Sequence, residues 1–512
     1  MKKGTGASLP VWDQEVTMPT TNPLYENQTC DVCVVGAGLA GLTTAYMLAK
    51  EGKKVVVLEA RNIGSGESGR TAGFLSNTLA GDYTQLTSLF GKESARLIYQ
   101  SHSSAIDKLE HLADKADIDC DFSRVDGYIV AHNREQESHL LNELEALQAL
   151  GWHDVVLRKR GPLESLSPLP ALHFPNQARF NPPKYLAGIA KAFMDEGGRI
   201  FTNSRAVDFK QGAVLTVMTA DGHAVSANHL VMATNAPVNE RGGLQTKLAP
   251  YRTYMIAFSI PAGAVPDALY WDIEAPNHYM RLIKGEAQDD NAAANDILLV
   301  GGADHKTGQA EFTARHLLEL EEWTRLRFPM VKEALYEWSA QVTEPLDGLP
   351  YIGRSGSDAG NEYVVAGSSG HGSSHAFIGA MVLTDLIMER TNAWAALYDP
   401  SRLKLKSAGD YLKKYLSTAA QMKEYVTPGE VDDMMEVMPG TGRIIRDGMK
   451  KIAVYCDPDG ARHQSSATCT YMSCIVNWNS VENSWDCPCH GCRYDPYGKV
   501  ISGPATKDLG PI

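Results

Sequence analysis

The sequence has no long apolar run, no excess of positive charge and no apolar leader segment. No hydrophobic stretch reaches the length of about 20 residues that a membrane-spanning helix requires. The net charge is -13 over 512 residues, whereas nucleic acids and anionic membranes attract basic proteins. Lys2 and Lys3 are not followed by an apolar core with a small-residue cleavage site. We therefore expect a cytoplasmic protein that binds neither nucleic acid nor membrane.

Cysteine is scarce and unevenly distributed. Of nine cysteines, five lie between Cys469 and Cys492, which is not the dispersed pattern of a secreted, disulfide-rich protein. This crowding indicates a metal site. Cys30 and Cys33 also form a C-x2-C pair, but Cys33 falls within a predicted strand, so we interpret it as a small buried hydrophobic residue.

A strand, a glycine-rich turn, a helix and a second strand follow one another between Asp31 and Glu59. Gly36 allows a sharp turn, Gly38 lets backbone N–H groups approach a pyrophosphate, and Gly41 lets the helix pack closely on the sheet. Glu59 ends the second strand, where a carboxylate can accept the hydroxyl groups of an adenosine ribose. This order predicts a Rossmann-type dinucleotide site.

The hydrophobic periodicity predicts further helices and strands along the chain. The predicted helices are 91–117, 134–150, 180–197, 308–328 and 408–425, and the predicted strands are 126–131, 154–157, 200–201, 206–209, 214–219 and 230–234. Between Tyr251 and Val300 the strands alternate with short connections, which predicts an antiparallel sheet. Because this sheet interrupts the nucleotide-binding segments, a ligand can be enclosed where two domains meet.

Two glycine-rich stretches are candidates for cofactor contact. The loop Arg61–Asn77 has four glycines directly after the predicted ribose carboxylate, so it can wrap a planar cofactor. The segment Tyr363–Arg390 has a strand, a glycine-rich turn and a helix, which presents a helix N-terminus to a polar ligand. Both are predicted to lie beside the dinucleotide turn.

Five segments in order, VVGAGLAGL, GESGRTAG, LVMATN, LDGLPYIG and AGSSGHGSSH, resemble the FAD-dependent D-amino-acid oxidase and glycine oxidase superfamily. The chain is most similar to its gamma-glutamylputrescine oxidase-like members that carry a C-terminal Rieske domain. The resemblance implies oxidation of a C–N bond in an amine or amino acid by hydride transfer to FAD. It also implies that FAD is bound by Gly36, Ala37, Gly38, Leu39, Ala40, Gly41, Glu59, Ala60, Arg61, Ser68, Gly69, Arg70, Thr71, Ala72, Gly73, Val207, Thr234, Gly370, His371, Gly372, Ser373 and Ser374.

The resemblance also bears on how the flavin is attached. Some amine oxidases of the superfamily use a lysine to activate dioxygen and a cysteine to bond the flavin covalently, and Leu299 and Ala340 occupy those positions. We therefore expect non-covalent FAD and weak reactivity with dioxygen. Gly73–Phe74 stands where relatives carry a histidine, which leaves the substrate open.

Candidate catalytic residues flank the last glycine turn and alternate along the inserted sheet. The substrate nitrogen must be neutral to release hydride, so the site should desolvate it or present a base. His371 and His375 are candidates for that base, or for hydrogen bonds to the backbone. The other candidates could face the substrate, with arginine clamping a carboxylate, or form a solvated sheet face; they are Arg252, Tyr254, Tyr279 and Arg281.

The cysteine cluster resembles a Rieske module of the cytochrome bc type, most clearly in SWDCPCHG and YGKVISGPA. The resemblance implies that Cys469 and Cys487 bind one iron of a [2Fe-2S] cluster, that His490 binds the other, and that Cys474 and Cys489 form a disulfide. Zinc is the alternative for any such cysteine cluster.

The first cluster loop departs from the family pattern, because Tyr471 stands where the family has its second histidine. Three residues could replace that donor: Tyr471 itself, Cys492 and His463. Our hypothesis is Tyr471 on the outer iron beside His490, in a low-potential cluster, because an anionic phenolate favours ferric iron. The alternative is a decayed module that keeps its fold and binds no cluster.

Together these features predict an α/β plus α+β chain with three domains. A Rossmann-type FAD-binding domain (30–90, 171–245 and 340–395) would follow an N-terminal arm (1–29). It would be interrupted by an antiparallel-sheet substrate domain (91–170 and 246–339) and followed by a helical linker (396–439) and a small all-β Rieske-like domain (440–512). The predicted function is oxidation of an amine or amino acid with electrons passed to the Rieske centre and on to an unidentified acceptor. The alternatives are an oxidase that uses dioxygen beside a degenerate Rieske domain, and a non-catalytic flavin redox sensor or docking protein.

Overall fold

The computed structural model describes most of the chain. The described residues are 6–12, 16–79, 83–212, 214–238, 241–274, 276–285, 295–310, 312–355, 360–402, 429–431 and 433–512. The predicted helix over 408–425 lies outside them. None of the described helices has both the length and the apolar character needed to cross a membrane.

The first domain is built on an eight-stranded sheet. Its strands are β1 (Gln28–Val35), β2 (Val55–Leu58), β7 (Arg199–Phe201), β8 (Ala206–Lys210), β9 (Leu215–Thr219), β10 (Ala224–Asn235), β16 (Tyr351–Arg354) and β17 (Glu362–Ala366). They are ordered β16-β17-β10-β1-β2-β7, with β9 paired to β10 and β8 to β9. Strands β17, β10, β1, β2 and β7 are parallel. The apolar run at the end of β1 is buried on both faces, as expected for a strand inside a parallel sheet.

Six of the described helices were predicted from the sequence, and two were not. The described helices are α1 (Leu39–Lys50), α2 (Tyr83–Phe90), α3 (Lys92–Lys115), α4 (Arg134–Ala149), α5 (Pro182–Asp195), α6 (Ala314–Arg327), α7 (Gly372–Ile387) and α8 (Ala395–Tyr398). The two that were not predicted are α2 and α8. Helix α5 begins where the side chain of Asn181 accepts a hydrogen bond from the backbone N–H of Lys184 and two prolines open the first turn. Helices α5 and α7 both pack against α1.

A nine-stranded sheet forms the second domain. Its strands are β3 (Phe74–Leu75), β4 (Ser123–Val130), β5 (Val156–Arg158), β6 (Ala171–Arg179), β11 (Leu248–Pro261), β12 (Ala268–Asp272), β13 (Tyr279–Ile283), β14 (Asn295–Lys306) and β15 (Ala334–Pro345). Their order is β15-β11-β14-β13-β12-β4-β6-β3, with β5 on β6. The pairs between 251 and 300 are antiparallel, as predicted. Strand β12 then joins β4 in parallel.

The strand pairings place two predicted domain limits differently. Strand β6 pairs with β4 from end to end, so residues 171–179 lie in the second sheet and not in the FAD-binding domain. Strand β15 pairs with β11 up to Pro345, so residues 340–345 also lie in the second sheet. The whole of β6 therefore lies on the other side of the 170/171 limit, and β15 runs across the 339/340 limit.

The third domain is all-β, as predicted. One sheet holds β18 (Thr441–Asp447), β19 (Lys450–Cys456) and β20 (Arg462–Ser466), and the other holds β21 (Asn477–Asn479), β22 (Ser484–Asp486), β23 (Arg493–Tyr494) and β24 (Val500–Ser502). Every pairing between these strands is antiparallel. The predicted α/β plus α+β class with a small all-β domain is therefore confirmed.

The turn between β21 and β22 inserts the carboxylate of Glu482 into the rest of the protein. The side chain is fully buried, with its Oε1 at 2.7 Å from Arg70 and 3.3 Å from Arg252. The backbone N–H of Ser339 and the hydroxyl of Ser8 also donate to this carboxylate. Burial alone would raise the pKa of Glu482, but the nearby arginines lower it well below its ordinary value. This Glu482 cluster joins the N-terminal arm, the cofactor loop, the second sheet and the third domain.

We predict that Glu482→Gln destabilises the whole chain. The amide keeps the shape of the side chain but leaves Arg70 and Arg252 buried without their counter-charge, which costs about 3–5 kcal/mol when one partner of a buried ion pair is removed. Chemical denaturation followed by circular dichroism measures this loss. The matched control is Glu196→Gln, since Glu196 pairs with Lys50 in solvent and should leave stability unchanged. Equal stability of the two variants would contradict the role given to the Glu482 cluster.

Candidate cofactor and active site

A cavity of about 610 Å³ lies between the first two sheets and is closed on one side by the third domain. Its wall is formed by the first glycine turn, the ends of β2 and β10, the loop after β2, the start of α7 and strands of the second sheet. Residues Ile501, Ser502, Gly503, Ala505 and Thr506 of the third domain complete the wall. This volume is typical of a cofactor or ligand site.

The glycines of the first turn leave room that side chains would fill. Gly36 has φ +109°, and a Cβ there would lie 2.5 Å from the carbonyl oxygen of Ala233. A Cβ on Gly41 would overlap the carbonyl oxygen of Gly36. A Cβ on Gly38 would lie 2.7 Å from the hydroxyl of Ser68, at the cavity wall. The turn therefore exposes backbone to the cavity, as a bound pyrophosphate requires.

Glu59 and Ser68 hold this turn in place. The backbone N–H groups of Ala37 and Arg61 donate to the Glu59 carboxylate at 2.8 and 3.0 Å. The N–H of Leu39 donates to the Ser68 hydroxyl at 3.0 Å. Glu59 therefore links the glycine turn to the loop after β2, and it also lines the cavity.

Most of the predicted cofactor residues line this cavity. They are Gly36, Ala37, Gly38, Leu39, Ala40, Glu59, Ala60, Arg61, Ser68, Thr71, Ala72, Thr234, Gly370, His371, Gly372 and Ser373. Beside Glu59 the wall is formed by Arg205 and Ala206 instead of Val207.

The other predicted cofactor residues support the wall from behind. A Cβ on Gly69 would overlap the carbonyl oxygen of Gly64, so Gly69 permits a close approach within the loop. The side chain of Arg70 pairs with Glu482 and does not line the cavity. The carbonyl of Gly73 accepts a hydrogen bond from Arg281 at 2.7 Å. The hydroxyl of Ser374 accepts from the N–H of Ser76. Gly41 is held against Gly36 as described above.

Three histidines meet at the start of α7. His371 and His375 line the cavity, and Nε2 of His375 lies 3.2 Å from Nε2 of His102 on α3. Burial lowers the pKa of His371 to about 3 and that of His102 to about 4, and it lowers the pKa of His375 as well. The three rings are therefore uncharged at neutral pH.

Arg252, Tyr254 and Arg281 do not line the cavity. Arg252 is held by the Glu482 cluster, and the ring of Tyr254 stacks 5.6 Å from that of His305. Arg281 is fully buried and donates to carbonyl oxygens of Ala72, Gly73 and Phe180 at 3.0, 2.7 and 2.9 Å. These arginines stabilise the fold and present no charge to the cavity.

On β11 the neighbouring positions, Thr253 and Met255, line the cavity instead, because successive side chains of a strand point to opposite faces. Of the candidates on the inserted sheet, Tyr279 of β13 does line the cavity. Nearly every residue of β11 is buried. Alternation of polar and apolar residues therefore did not reveal which face meets the cavity.

Three cysteine thiols converge in the third domain. Cys469, Cys487 and Cys492 are buried, and contacts with the Cys487 and Cys492 thiols lower the pKa of Cys469. The hydroxyl of Tyr494 lies 3.2 Å from Sγ of Cys469. Thiolates are the ligands that iron–sulfur clusters use, so this donor set fits such a cluster.

The remaining predicted cluster residues lie on the two neighbouring loops. A disulfide joins Cys474 and Cys489, as predicted. The donor atom of His490 lies within 4.8 Å of the sulfur of Cys487. The ring of Tyr471 is centred 5.3 Å from the ring of His490. His463 lies on β20, where its Nε2 is 3.0 Å from Asp457.

Comparison with known protein families supports both the FAD site and the cluster site. Residues 31–386 match the sequence model of the FAD dependent oxidoreductase family, and residues 428–511 match that of the Rieske [2Fe-2S] domain. The chain belongs to the FAD-dependent oxidoreductase family. The matches identify FAD and a [2Fe-2S] cluster as its cofactors, which confirms those two predictions.

The chain is similar to known proteins over all or most of its length. The chain is 30% identical to the Rieske 2Fe-2S iron-sulfur protein YhfW of Bacillus subtilis, over 98% of this chain and 97% of that one. It is 28% identical to gamma-glutamylputrescine oxidoreductase of Escherichia coli, over 73% of this chain and 88% of that one. The glycine oxidase of Geobacillus kaustophilus has the same fold over 74% of this chain and 100% of its own, with a TM-score of 0.62 and 18% identity.

Several residues at these sites were missed by the sequence reasoning. They are His102, Arg205, Asp304, Gln341 and Glu482. Each reaches its site from a distant element, so no local motif marks it. For Asp304 a signal was present, because two glycines directly precede Ala303–Asp304 in a predicted strand and often mark a bulge.

We predict that Gly41→Ala abolishes FAD binding. The added methyl group would collide with the carbonyl oxygen of Gly36 and push the start of α1 away from the turn. The flavin absorption of purified protein measures the loss. The control is Gly52→Ala, just beyond the other end of α1, where no atom lies within 4 Å of the added methyl group; it should keep its FAD. Normal flavin content in Gly41→Ala would contradict this account of the turn.

Proposed function

We propose that this protein dehydrogenates a C–N bond of an amine or amino acid on non-covalently bound FAD and passes the electrons to a [2Fe-2S] cluster in its own third domain. The observation that carries this proposal is one side chain, Gln341, which contacts both sites. It lines the FAD cavity, and its Nε2 donates at 3.0 Å to the carbonyl of Gly491 in the cluster loop.

The contact around Gln341 is tight. The Gln341 side chain is buried, and its backbone N–H donates to the carboxylate of Glu67. A Cβ on Gly491 would lie 2.6 Å from Pro250 and 2.7 Å from Gln341. The cluster loop therefore lies directly against the wall of the flavin cavity, and electrons have only a short protein segment to cross.

The cavity supplies the conditions for amine oxidation. When bound, FAD accepts hydride and releases its electrons singly, which suits a one-electron cluster. The glycine turn and Glu59 position the dinucleotide, and the start of α7 presents backbone N–H groups to the flavin. The uncharged rings of His371 and His375 add no positive charge to this wall. The names of the relatives, an oxidoreductase of gamma-glutamylputrescine and an oxidase of glycine, support C–N chemistry.

For the cluster we propose Cys469 and Cys487 on one iron and His490 with Tyr471 on the other. The neighbouring rings of Tyr471 and His490 support this assignment. His463 is the weakest alternative because it pairs with Asp457. Cys492 lies with the thiols of the first iron, so it is less suited to the iron of His490.

The function is tested by anaerobic mixing of the holoprotein with a panel of amines and amino acids. We expect at least one compound to bleach the oxidised-flavin absorption band, followed by the electron paramagnetic resonance signal of a reduced [2Fe-2S] cluster. Gln341→Leu removes the hydrogen bond to Gly491 and should slow cluster reduction more than it slows bleaching. No bleaching across the panel would contradict the enzymatic proposal. Bleaching with rapid reoxidation by air in a cluster-free Cys487→Ser variant would favour a dioxygen-using oxidase.

The ligand assignment gives a separate prediction for Tyr471. Tyr471→His should raise the reduction potential of the cluster, because a neutral imidazole stabilises ferric iron less than a phenolate does. Tyr471→Phe should change the resonance spectrum, whereas Tyr497→Phe, at an exposed tyrosine of the same domain, should not. Iron content and electron paramagnetic resonance of anaerobically purified protein provide the measurement. A spectrum unchanged in Tyr471→Phe but altered in Cys492→Ser would assign the ligand to Cys492.

A further inference from the structure

We infer that Asp304 is the substrate-recognition residue of the cavity and that it selects a cationic amine without an α-carboxylate. The inference rests on the proposed function, because it narrows the substrate class of the same site. It is carried by the position of the carboxylate, by the strand distortion that directs it, and by the chemistry of the surrounding wall.

The carboxylate of Asp304 faces the FAD cavity with an unused acceptor. Asp304 lines the cavity, and its Oδ1 is buried and has no hydrogen-bond partner. A buried polar atom without a partner is costly and requires an explanation, and a bound ligand group is one. Burial raises the pKa of Asp304 to about 6, with Thr253 and His278 acting in the opposite direction. A cation at this position would relieve that cost.

A bulge in the second sheet directs Asp304 into the cavity. Between the pairs Arg252↔His305 and Tyr254↔Gly302, strand β11 has one residue and β14 has two. The extra residue lets Ala303 adopt φ +55°, a conformation that alanine rarely takes. Bulges of this kind re-aim side chains beside active sites. The bulge that strains the backbone at Ala303 therefore also directs the Asp304 side chain into the cavity.

The wall around Asp304 is suited to a positive charge. Phe74, Trp271 and Tyr279 line the cavity with it, and the ring of Phe74 is centred 5.5 Å from Trp271 and 5.7 Å from Tyr279. Three aromatic rings beside a carboxylate form the kind of cage that binds ammonium groups. The hydroxyl groups of Tyr279 and Thr253, 2.9 Å apart, add polar contacts.

Among the residues that the structure describes, no arginine near Asp304 lines the cavity. Arg252 pairs with Glu482 and Arg281 donates to backbone carbonyls, and both lie outside the cavity wall. The arginines that do line the cavity, Arg61 and Arg205, stand with Glu59 at the dinucleotide turn. An α-amino acid would therefore place its carboxylate against Asp304 without a counter-charge, which disfavours it relative to the simple amine.

The test compares three probes on the FAD-loaded protein under anaerobic conditions. Tetramethylammonium chloride is a cation that cannot be dehydrogenated, and n-pentylamine differs from norleucine only by the α-carboxylate. Binding is measured from the flavin difference spectrum. We expect tetramethylammonium and n-pentylamine to bind, and norleucine to bind at least about tenfold more weakly than n-pentylamine, a difference of about 1.4 kcal/mol. Tighter binding of norleucine would overturn the inference.

The variant Asp304→Asn keeps the size of the side chain and removes its charge. We expect it to lose at least about tenfold in affinity for both cations, with FAD content and melting temperature retained, because the amide needs no buried charge. The control Glu337→Gln removes a carboxylate from β15 of the same sheet, outside the cavity, and should bind both cations like the wild type. Equal cation affinity in Asp304→Asn and the wild type would overturn the inference.

The pH dependence provides a second readout with a permanent cation. Tetramethylammonium affinity of the wild type should fall about tenfold per unit as the pH drops below about 6, since only the carboxylate form attracts it. In Asp304→Asn the affinity should not change with pH. The other titratable groups facing Asp304 are His278, which is hydrogen-bonded to Asp272, and the hydroxyls of Tyr279 and Tyr251, whose pKa burial raises. A pH-independent wild-type affinity would overturn the inference.

These measurements separate the inference from the proposed function. If cations bind in a manner that depends on Asp304 but no amine bleaches the flavin, recognition stands and the proposed dehydrogenation fails. If amines bleach the flavin with the same affinity in the wild type and in Asp304→Asn, dehydrogenation stands and the recognition role fails.

Discussion

The ion pairs of one buried carboxylate, Glu482, hold the architecture of this protein together. Arg70 comes from the loop that lines the cofactor cavity, and Arg252 comes from the middle of the second sheet. Both guanidinium groups are buried, and a buried charge without a partner is among the costliest defects in a folded protein. The counter-charge comes from the third domain. The cofactor loop and the second sheet therefore reach their final positions only when the third domain is docked.

This constraint explains why the cluster loops have a fixed place. A movement of the third domain away from the flavoprotein would leave Arg70 and Arg252 buried and uncompensated. It would also break the bond from Gln341 to Gly491 and open the cavity wall formed by Ile501–Thr506. For the electron transfer that we propose, these buried ion pairs would keep the separation between the two cofactor sites short and constant. The Rieske-like domain is structurally part of the flavin site.

The parts of the molecule that could be predicted from the sequence are those specified by local chemistry. Gly36 is required because its φ is positive, and Gly41 is required because the helix contacts the turn at that position. The spacing of these glycines therefore indicates the fold. The wall of the active site could not be predicted in the same way. Arg252 and Thr253 are neighbours on a strand that is buried on both faces, and which of them meets the cavity depends on the twist and pairing of the whole sheet. The direction of the Asp304 side chain depends on a bulge, and the Glu482 carboxylate pairs with arginines of other domains. Neither could be predicted from the local sequence alone.

Arg252 and Arg281 were predicted to face the substrate or the solvent, but both are buried in the fold. An arginine near a flavin suggests a clamp for a substrate carboxylate, but a guanidinium is also the side chain best able to hold several backbone carbonyls at once, as Arg281 does with Ala72, Gly73 and Phe180. Arg281 thereby fixes the cofactor loop on one side while Arg70 fixes it on the other. Because Arg252 and Arg281 are both committed to the fold, neither offers a positive charge to the part of the cavity wall that holds Asp304. The structural use of arginine thus favours the cation recognition that we infer for Asp304.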